Sequence, residues 1–293
     1  MISIRRTFTI GIVTAASVLA AHALTYLLVA VLPDPSIALL GFQSAQESVL
    51  SAFQQQTAVR GYGQMLLDLA DGDLGRTLDG VPVTAEVWAA LEATVPRVVA
   101  AFAGVLLVVL AVAFLPRPGT PAVWHGLTLT SFLPPFLIPF ACLVLALAMD
   151  LAVGTGGLFD AGWWLTVVAM AVSPAALAGA QAANVMKRNL EEPFAKTVLA
   201  SGATPIHQRR RLLHNLFVEL APGLEKMLTA MITATMFAEP ILGETGFGTM
   251  VVRAIRRTDV DLLLASVLAA AIAINLGRVA GVSVRALYRV PQR

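Results

Sequence analysis

Residues 95 to 115 read VPRVVAAFAGVLLVVLAVAFL, an apolar block from Val95 to Leu115 interrupted by a single charge, Arg97. Its length is close to the ~20 residues an α-helix needs to cross the hydrocarbon core of a bilayer. Further blocks run from Thr7 to Leu32, Trp124 to Val153, Trp163 to Val185, Met227 to Gly243 and Leu262 to Val284. Six such blocks predict an all-α polytopic membrane protein with six transmembrane helices. Composition points the same way: 57% of the 293 residues are hydrophobic and 13% charged, whereas soluble domains carry about 25% charged residues. The fifth block is short and rich in Ala and Thr. Small side chains let helix backbones approach closely, so this helix is expected to line the interior of the bundle.

Arg5 and Arg6 precede the first block, and Ala21-His22-Ala23 offers the small residues of a signal-peptide cleavage site. The apolar run nevertheless continues unbroken to Leu32, longer than a signal h-region, which predicts a retained anchor over residues 1–32. His22, alone within it, is expected to pack against a neighbour. Residues 33–94 carry Asp34, Glu47, Arg60, Asp68, Asp71, Asp73, Arg76, Asp79 and Glu86. That stretch is too polar to span and predicts an extracytoplasmic excursion of short helices. Residues 95–293 then form a five-helix core, with a basic loop at 186–221. Placing the N-terminus inside puts Lys187, Arg188, Lys196 and Arg209 to Arg211 on the same inner side as Arg5 and Arg6. The smaller outer group is Arg60, Arg76, Arg97, Arg253, Arg256 and Arg257. The excess of Lys and Arg inside predicts both termini in the cytoplasm.

Little in the chain suggests chemistry of its own. Cys142 is the single cysteine, so there is no intrachain disulfide and no cysteine metal site. The run Gly243-Glu-Thr-Gly-Phe-Gly248-Thr249 has the glycine spacing of a phosphate-binding loop, but threonine stands where that loop needs lysine. A tight turn at the outer membrane surface is the better reading. There is no His-Glu-x-x-His site, so no metal, cofactor or catalytic residue is expected, and any ATP hydrolysis belongs to another chain. The basic residues lie between apolar blocks, which excludes a nucleic-acid face. Glu239 and Asp150 fall near the outer ends of the fifth and third helices, where both can reach headgroups or water. Deep carboxylates are scarce, which counts against a self-contained secondary transporter. A membrane scaffold without a pore is the other rival reading.

In the inner loop, Glu192 can cap a short helix with Pro193 in its first turn. Phe194, Val198 and Leu199 are expected to share one face, and Gly202 to stop the helix. Thr204-Pro205 starts a second helix bearing Arg209, Arg210, Arg211 and His214. Such a pair either lies on the lipid surface, arginines against headgroups, or docks into a partner protein.

Several elements, taken in order, resemble the permease subunits of peptide-type ABC importers, specifically the B-type subunit of dipeptide, oligopeptide and nickel systems. These are Leu32-Pro33-Asp34-Pro35, lacking the family's glycine, then Gly72-Asp73-Leu74-Gly75-Arg76-Thr77 followed by Pro82-Val83, then Glu239, Gly246-Phe247-Gly248, Ala254-Ile255 and Asp259. The inner loop resembles the family's EAA coupling motif, with Glu192, Phe194, Lys196, Thr197, Ala200, Gly202 and Ala203 in its places and Asn215 and Pro222 beyond. The resemblance implies a type I ABC importer transmembrane domain in the bacterial inner membrane. Glu192 to Ile206 would insert into an ATP-binding subunit, and Glu239, Gly246, Gly248 and Asp259 become candidates for the pore or outer gate. The implied partners are a second, C-type permease, two ATP-binding subunits that hold ATP and Mg, an extracytoplasmic binding protein and membrane lipid. The implied cargo is peptides or similar small solutes, with nickel or metallophores as the alternative within the family.

Overall fold

Prolines and buried periodicity decide where the apolar blocks begin, break and end. The computed structural model describes residues 4–31, 61–115, 120–154 and 159–288; Leu32-Pro33-Asp34-Pro35 and the first part of the expected 33–94 excursion lie outside them. Among the described residues the regular elements are helical, apart from one isolated bridge between Arg76 and Pro82. They are α1 (Ile4–Val31), α2 (Tyr62–Ala70), α3 (Val83–Phe114), α4 (Pro121–Ser131), α5 (Leu137–Ala148), α6 (Ala161–Glu191), α7 (Pro193–Ala200), α8 (Pro205–Leu220), α9 (Leu224–Leu242), α10 (Phe247–Arg257) and α11 (Val260–Tyr288). A 3-10 turn, Ala221–Gly223, joins α8 to α9. By length and apolarity, α1, α3, α6 and α11 can cross a membrane, and α5 is a shorter apolar helix.

Two boundaries differ from the sequence reading. The block Trp124 to Val153 forms two helices, α4 and α5, with Pro134 and Pro135 between them. Proline lacks the N–H that a continuous helix would use there, and its ring crowds the preceding turn, so the block forms two helices instead of one. Helix α3 starts at Val83, well before the apolar block at Val95. Val83, Val87, Ala90 and Thr94 recur at helical spacing and are buried. They pack on Phe247, Met250, Val251 and Ala254 of α10 and on Leu262 and Ala265 of α11, forming a second core that extends α3 beyond the apolar run. At 1.5 Å per residue α3 is roughly 48 Å long, more than a ~30 Å hydrocarbon core requires.

Helix α6 is the centre of the main core. Asp160 caps it by accepting the Trp163 N–H at 2.7 Å. Its buried face is built of small residues, including Ala175, Ala178, Ala182 and Ala183, which let α3 and α9 lie close. Helix α9 buries Met227, Met231, Ala234, Ala238 and Leu242 on one side, in line with the expected interior position. Arg278 of α11 holds Glu225 of α9 through two hydrogen bonds of 2.8 and 2.6 Å.

Helix α1 lies along α11, joined by a 2.9 Å hydrogen bond from Ser17 to Asn275. His22 is buried beside Tyr62, the neighbour packing expected of it. Elsewhere α1 leaves Ile12, Leu19, Leu24, Leu27 and Leu28 uncovered, and α5 does the same with Phe140, Val144 and Leu147. Apolar surface on that scale needs an apolar surrounding, which lipid supplies.

The helix directions define two ends of the bundle. Helices α3, α6 and α11 run from the end that carries the Gly243–Gly248 turn to the end that carries α7 and α8, and α9 runs back between them. We refer to these as the turn end and the loop end.

Candidate functional site

At the loop end, Glu192 is extended and its backbone carbonyl accepts the N–H groups of Ala195 and Lys196, with Pro193 at the first helical position. Thr197 Oγ1 donates to the Pro193 carbonyl at 3.0 Å. Helix α7 stops at Gly202, whose φ of +86° is in the left-handed region, and the Ala203 N–H turns back to the Val198 carbonyl. A side chain at Gly202 would meet open space, so the glycine is needed for its backbone conformation and not for room. Thr204 then caps α8 by accepting the His207 N–H.

The two short helices form one unit. Gln208 Nε2 of α8 donates to the Ala195 carbonyl of α7 at 2.7 Å, out of solvent. Phe194 does not share a face with Val198 as the periodicity suggested: Val198 is 7% exposed and turned inward with Ala195, whereas Phe194 is 59% exposed. Helices α6 and α8 cover only the Ala195–Val198 side of α7, which leaves Phe194 out. Lys196, Thr197, Ala200 and Gly202 are also exposed, and Ile206 at the start of α8 is 68% exposed. The loop end therefore presents two large apolar side chains on a short, capped, cross-braced scaffold.

Arg209 departs from the reading of three like arginines on a surface. Arg210 and Arg211 are exposed, but Arg209 is buried and its Nη1 donates to the Ala113 carbonyl at 3.1 Å and to the Leu115 carbonyl. These belong to the last turn of α3 and the residue after it, where carbonyls have no partner within the helix. A cation there also complements the negative end of the helix dipole, a term worth up to about 2 kcal/mol in a partly buried setting. Burial pushes the Arg209 pKa below its ordinary value, so the capping bonds offset a real desolvation cost.

At the turn end, Glu239 is 0% exposed, which overturns the expectation that it reaches headgroups or water. Its Oε1 accepts from Thr94 Oγ1 at 2.6 Å and lies 3.4 Å from Arg97 Nη1, and its Oε2 accepts the Gly248 N–H at 2.7 Å. Arg97 is 5% exposed. It donates to the Thr245 carbonyl at 2.6 Å and pairs with Glu244 Oε2 at 2.7 Å. Thr94 Oγ1 in turn accepts the Phe247 N–H at 2.7 Å. One guanidinium and two carboxylates are thus enclosed together, binding α3 to the end of α9 and to the turn before α10. Asp150, by contrast, is exposed as expected.

Gly246 and Gly248 are buried, whereas Gly243 and Thr245 of the same run are exposed. A Cβ at Gly246 would stand 2.3 Å from Glu239 Oε1, and one at Gly248 would stand 2.0 Å from the Thr235 carbonyl oxygen. Only a residue without a side chain lets the turn close over Glu239. Gly246 and Gly248, two of the pore or outer-gate candidates, are therefore brought together with Glu239. Asp259 is not: it lies beyond the far end of α10 and accepts the N–H groups of Leu78 at 2.9 Å and Leu262 at 3.2 Å. It pins the Gly72–Pro82 loop to the start of α11. Thr94, Arg97 and Glu244 went unrecognised in the sequence. The available signal was a lone arginine in an apolar block, which demands a buried acidic partner somewhere in the chain.

Residues 99–289, more than half of the chain, match the family described as binding-protein-dependent transport system inner membrane component. The match takes in the loop end, Glu239 and the glycine turn. No curated protein matches the chain.

Proposed function

The chain belongs to the family of inner membrane components of binding-protein-dependent transport systems, and from that premise we propose that it is a B-type permease subunit forming half of the translocation pore of an ATP-driven importer. A homologous C-type permease completes the pore. Two ATP-binding subunits supply the energy, and an extracytoplasmic binding protein delivers peptides or similar small solutes. Six crossings are made by α1, α3, the broken pair α4–α5, α6, α9 and α11, with the loop end and both termini in the cytoplasm. That orientation is supported by the exposed Lys187, Arg188, Lys196, Arg210 and Arg211 at the loop end. Ion pairs occur at both ends, Arg188 with Glu219 at the loop end and Arg253 with Glu86 and Arg257 with Asp79 at the turn end, so the count of Lys and Arg and not net charge carries the orientation.

The observation that carries the reading is the α7–α8 knob. Phe194 and Ile206 are uncovered among the described residues, and the capped helices behind them hold the pair in place. An apolar anchor on a rigid base fits a groove on a partner and would pass that partner's movement to the bundle as a rigid-body displacement. Transport then follows alternating access, with ATP binding biasing a two-state equilibrium. The chain itself makes and breaks no covalent bond; nucleotide and Mg stay on the partner subunits.

Phe194→Asp tests this. The substitution removes the anchor from an exposed site, so the chain is expected to fold and insert normally. Retention of the ATP-binding subunits on the tagged permease should fall at least about tenfold, since a buried anchor is commonly worth 2 kcal/mol or more. Unaltered retention would remove the docking role from this loop.

A further inference from the structure

We infer that α3 is a strut linking the loop end to the turn end, and that Arg209 is the positioning residue through which a displacement of the loop helices is delivered to it. The inference rests on the importer reading above. Helix α8 holds two other helices at the loop end. It grips the last carbonyls of α3 through Arg209, and it leads into α9 through the tight Ala221–Gly223 turn. Leu212 and Leu216 of α8 are buried in the same core as Val112 and Ala113, so the grip has packing behind it.

At the turn end the same two helices meet again. Arg97 and Thr94 of α3 hold Glu239 of α9 and Glu244 just after it. Between Arg97 and Ala113 α3 has no break, a span of roughly 24 Å at helical rise. Helices α3 and α9 are thus two arms joined at one end by α8 and at the other by a buried ion network. Since Gln208 ties α7 to α8, a push on α7 moves α8, and α8 moves both arms. A push that shifts the arms unequally slides α3 along α9, and the contact that gives first is the longest in the network, Arg97 to Glu239 at 3.4 Å. A cavity of about 580 Å³ is lined by Glu244 and Thr245, the other two partners of Arg97, together with Thr249, Val252 and Arg256. Its access is the readout of the strut.

The test uses the whole transporter purified on the tagged chain and reconstituted in nanodiscs. A reporter cysteine is placed at Val252 in a Cys142→Ala background. Labelling by a membrane-impermeant maleimide is timed without nucleotide and after trapping with ATP and vanadate. The unaltered strut is expected to change the labelling rate at least about fivefold between the two states, the lower end of usual coupling between sites. Arg209→Met should bring the ratio to about one while the ATP-binding subunits stay bound. Arg209→Lys, which keeps a cation at the helix end, should restore most of it. If Arg209→Met does not assemble, Arg209→Gln serves: its amide is shorter and uncharged, so it loses the reach to the two carbonyls and the cation at the helix end, and should at least halve the ratio. A wild-type ratio in either the Met or the Gln variant overturns the strut, as does the absence of any ratio with Arg209 in place. Loss of the importer reading looks different, because no ATP-binding subunit would then be recovered even with the loop unaltered.

Discussion

Arg97→Met is expected to be the most damaging single substitution at the turn end, lowering stability by about 3–5 kcal/mol. The guanidinium stands between Glu239 and Glu244, which are both buried. Removing it leaves two carboxylates enclosed without a cation, and a stranded buried charge costs more than the intact pair contributes. Methionine keeps an unbranched apolar stem in place of the arginine's, so the loss reports mainly on the missing guanidinium, its charge and its hydrogen bonds. Thermal unfolding of the purified complex should begin roughly 10 °C lower, given the usual scaling for a chain of this size. A melting curve that does not move would mean that the network is dispensable.

Gly248→Ala is the second. The added methyl group would lie 2.0 Å from the Thr235 carbonyl oxygen, and its other close neighbours are also α9 backbone atoms. A flexible side chain could step aside, but a helix backbone cannot. Inserting a methylene into a packed core costs about 1–3 kcal/mol, and a backbone obstacle puts this site at or above the top of that range. The corner between α9 and α10 should open, releasing the Gly248 N–H from Glu239. Limited proteolysis should then cut between Gly243 and Thr249 in the variant and leave the parent whole. Equal resistance in both would show that the corner has slack.

Which features were legible in the sequence depended on how far apart the interacting residues lie. The α7 hairpin was readable because its signals are local: Pro193 at the first position, Gly202 two residues past the last turn, Thr204-Pro205 at the next start. The break between α4 and α5 was equally local, since Pro134 and Pro135 stand within the apolar block, but hydropathy averaged across them. The early start of α3 was present as the spacing of Val83, Val87 and Ala90, masked by Glu86, which is half-buried against Arg253 of α10, and by the exposed Glu92.

The ion network was not legible in the same way. Arg97 meets Glu239 and Glu244 across 142 and 147 residues, and nothing near any of the three names the others. Arg209 looks like Arg210 and Arg211 until α8 is docked, because only the helix's rotation against α3 decides which of the three turns in. Gly246 and Gly248 were read as parts of a turn with tight backbone geometry; Gly248 instead lies in the first turn of α10, and both positions are closed to a Cβ by their neighbours. Their burial over Glu239 depends on a tertiary contact that no run of seven residues encodes.

The claim that this chain is half of an ATP-driven pore is tested most directly by weighing what it belongs to. The tagged chain is extracted from its own membranes under mild conditions, and the mass and composition of the intact particle are measured. One copy of this chain, one homologous permease and two ATP-binding subunits are expected, with both ATP-binding subunits lost when Phe194 is replaced by aspartate. Recovery of this chain alone, or of a particle without an ATP-binding subunit, would contradict it.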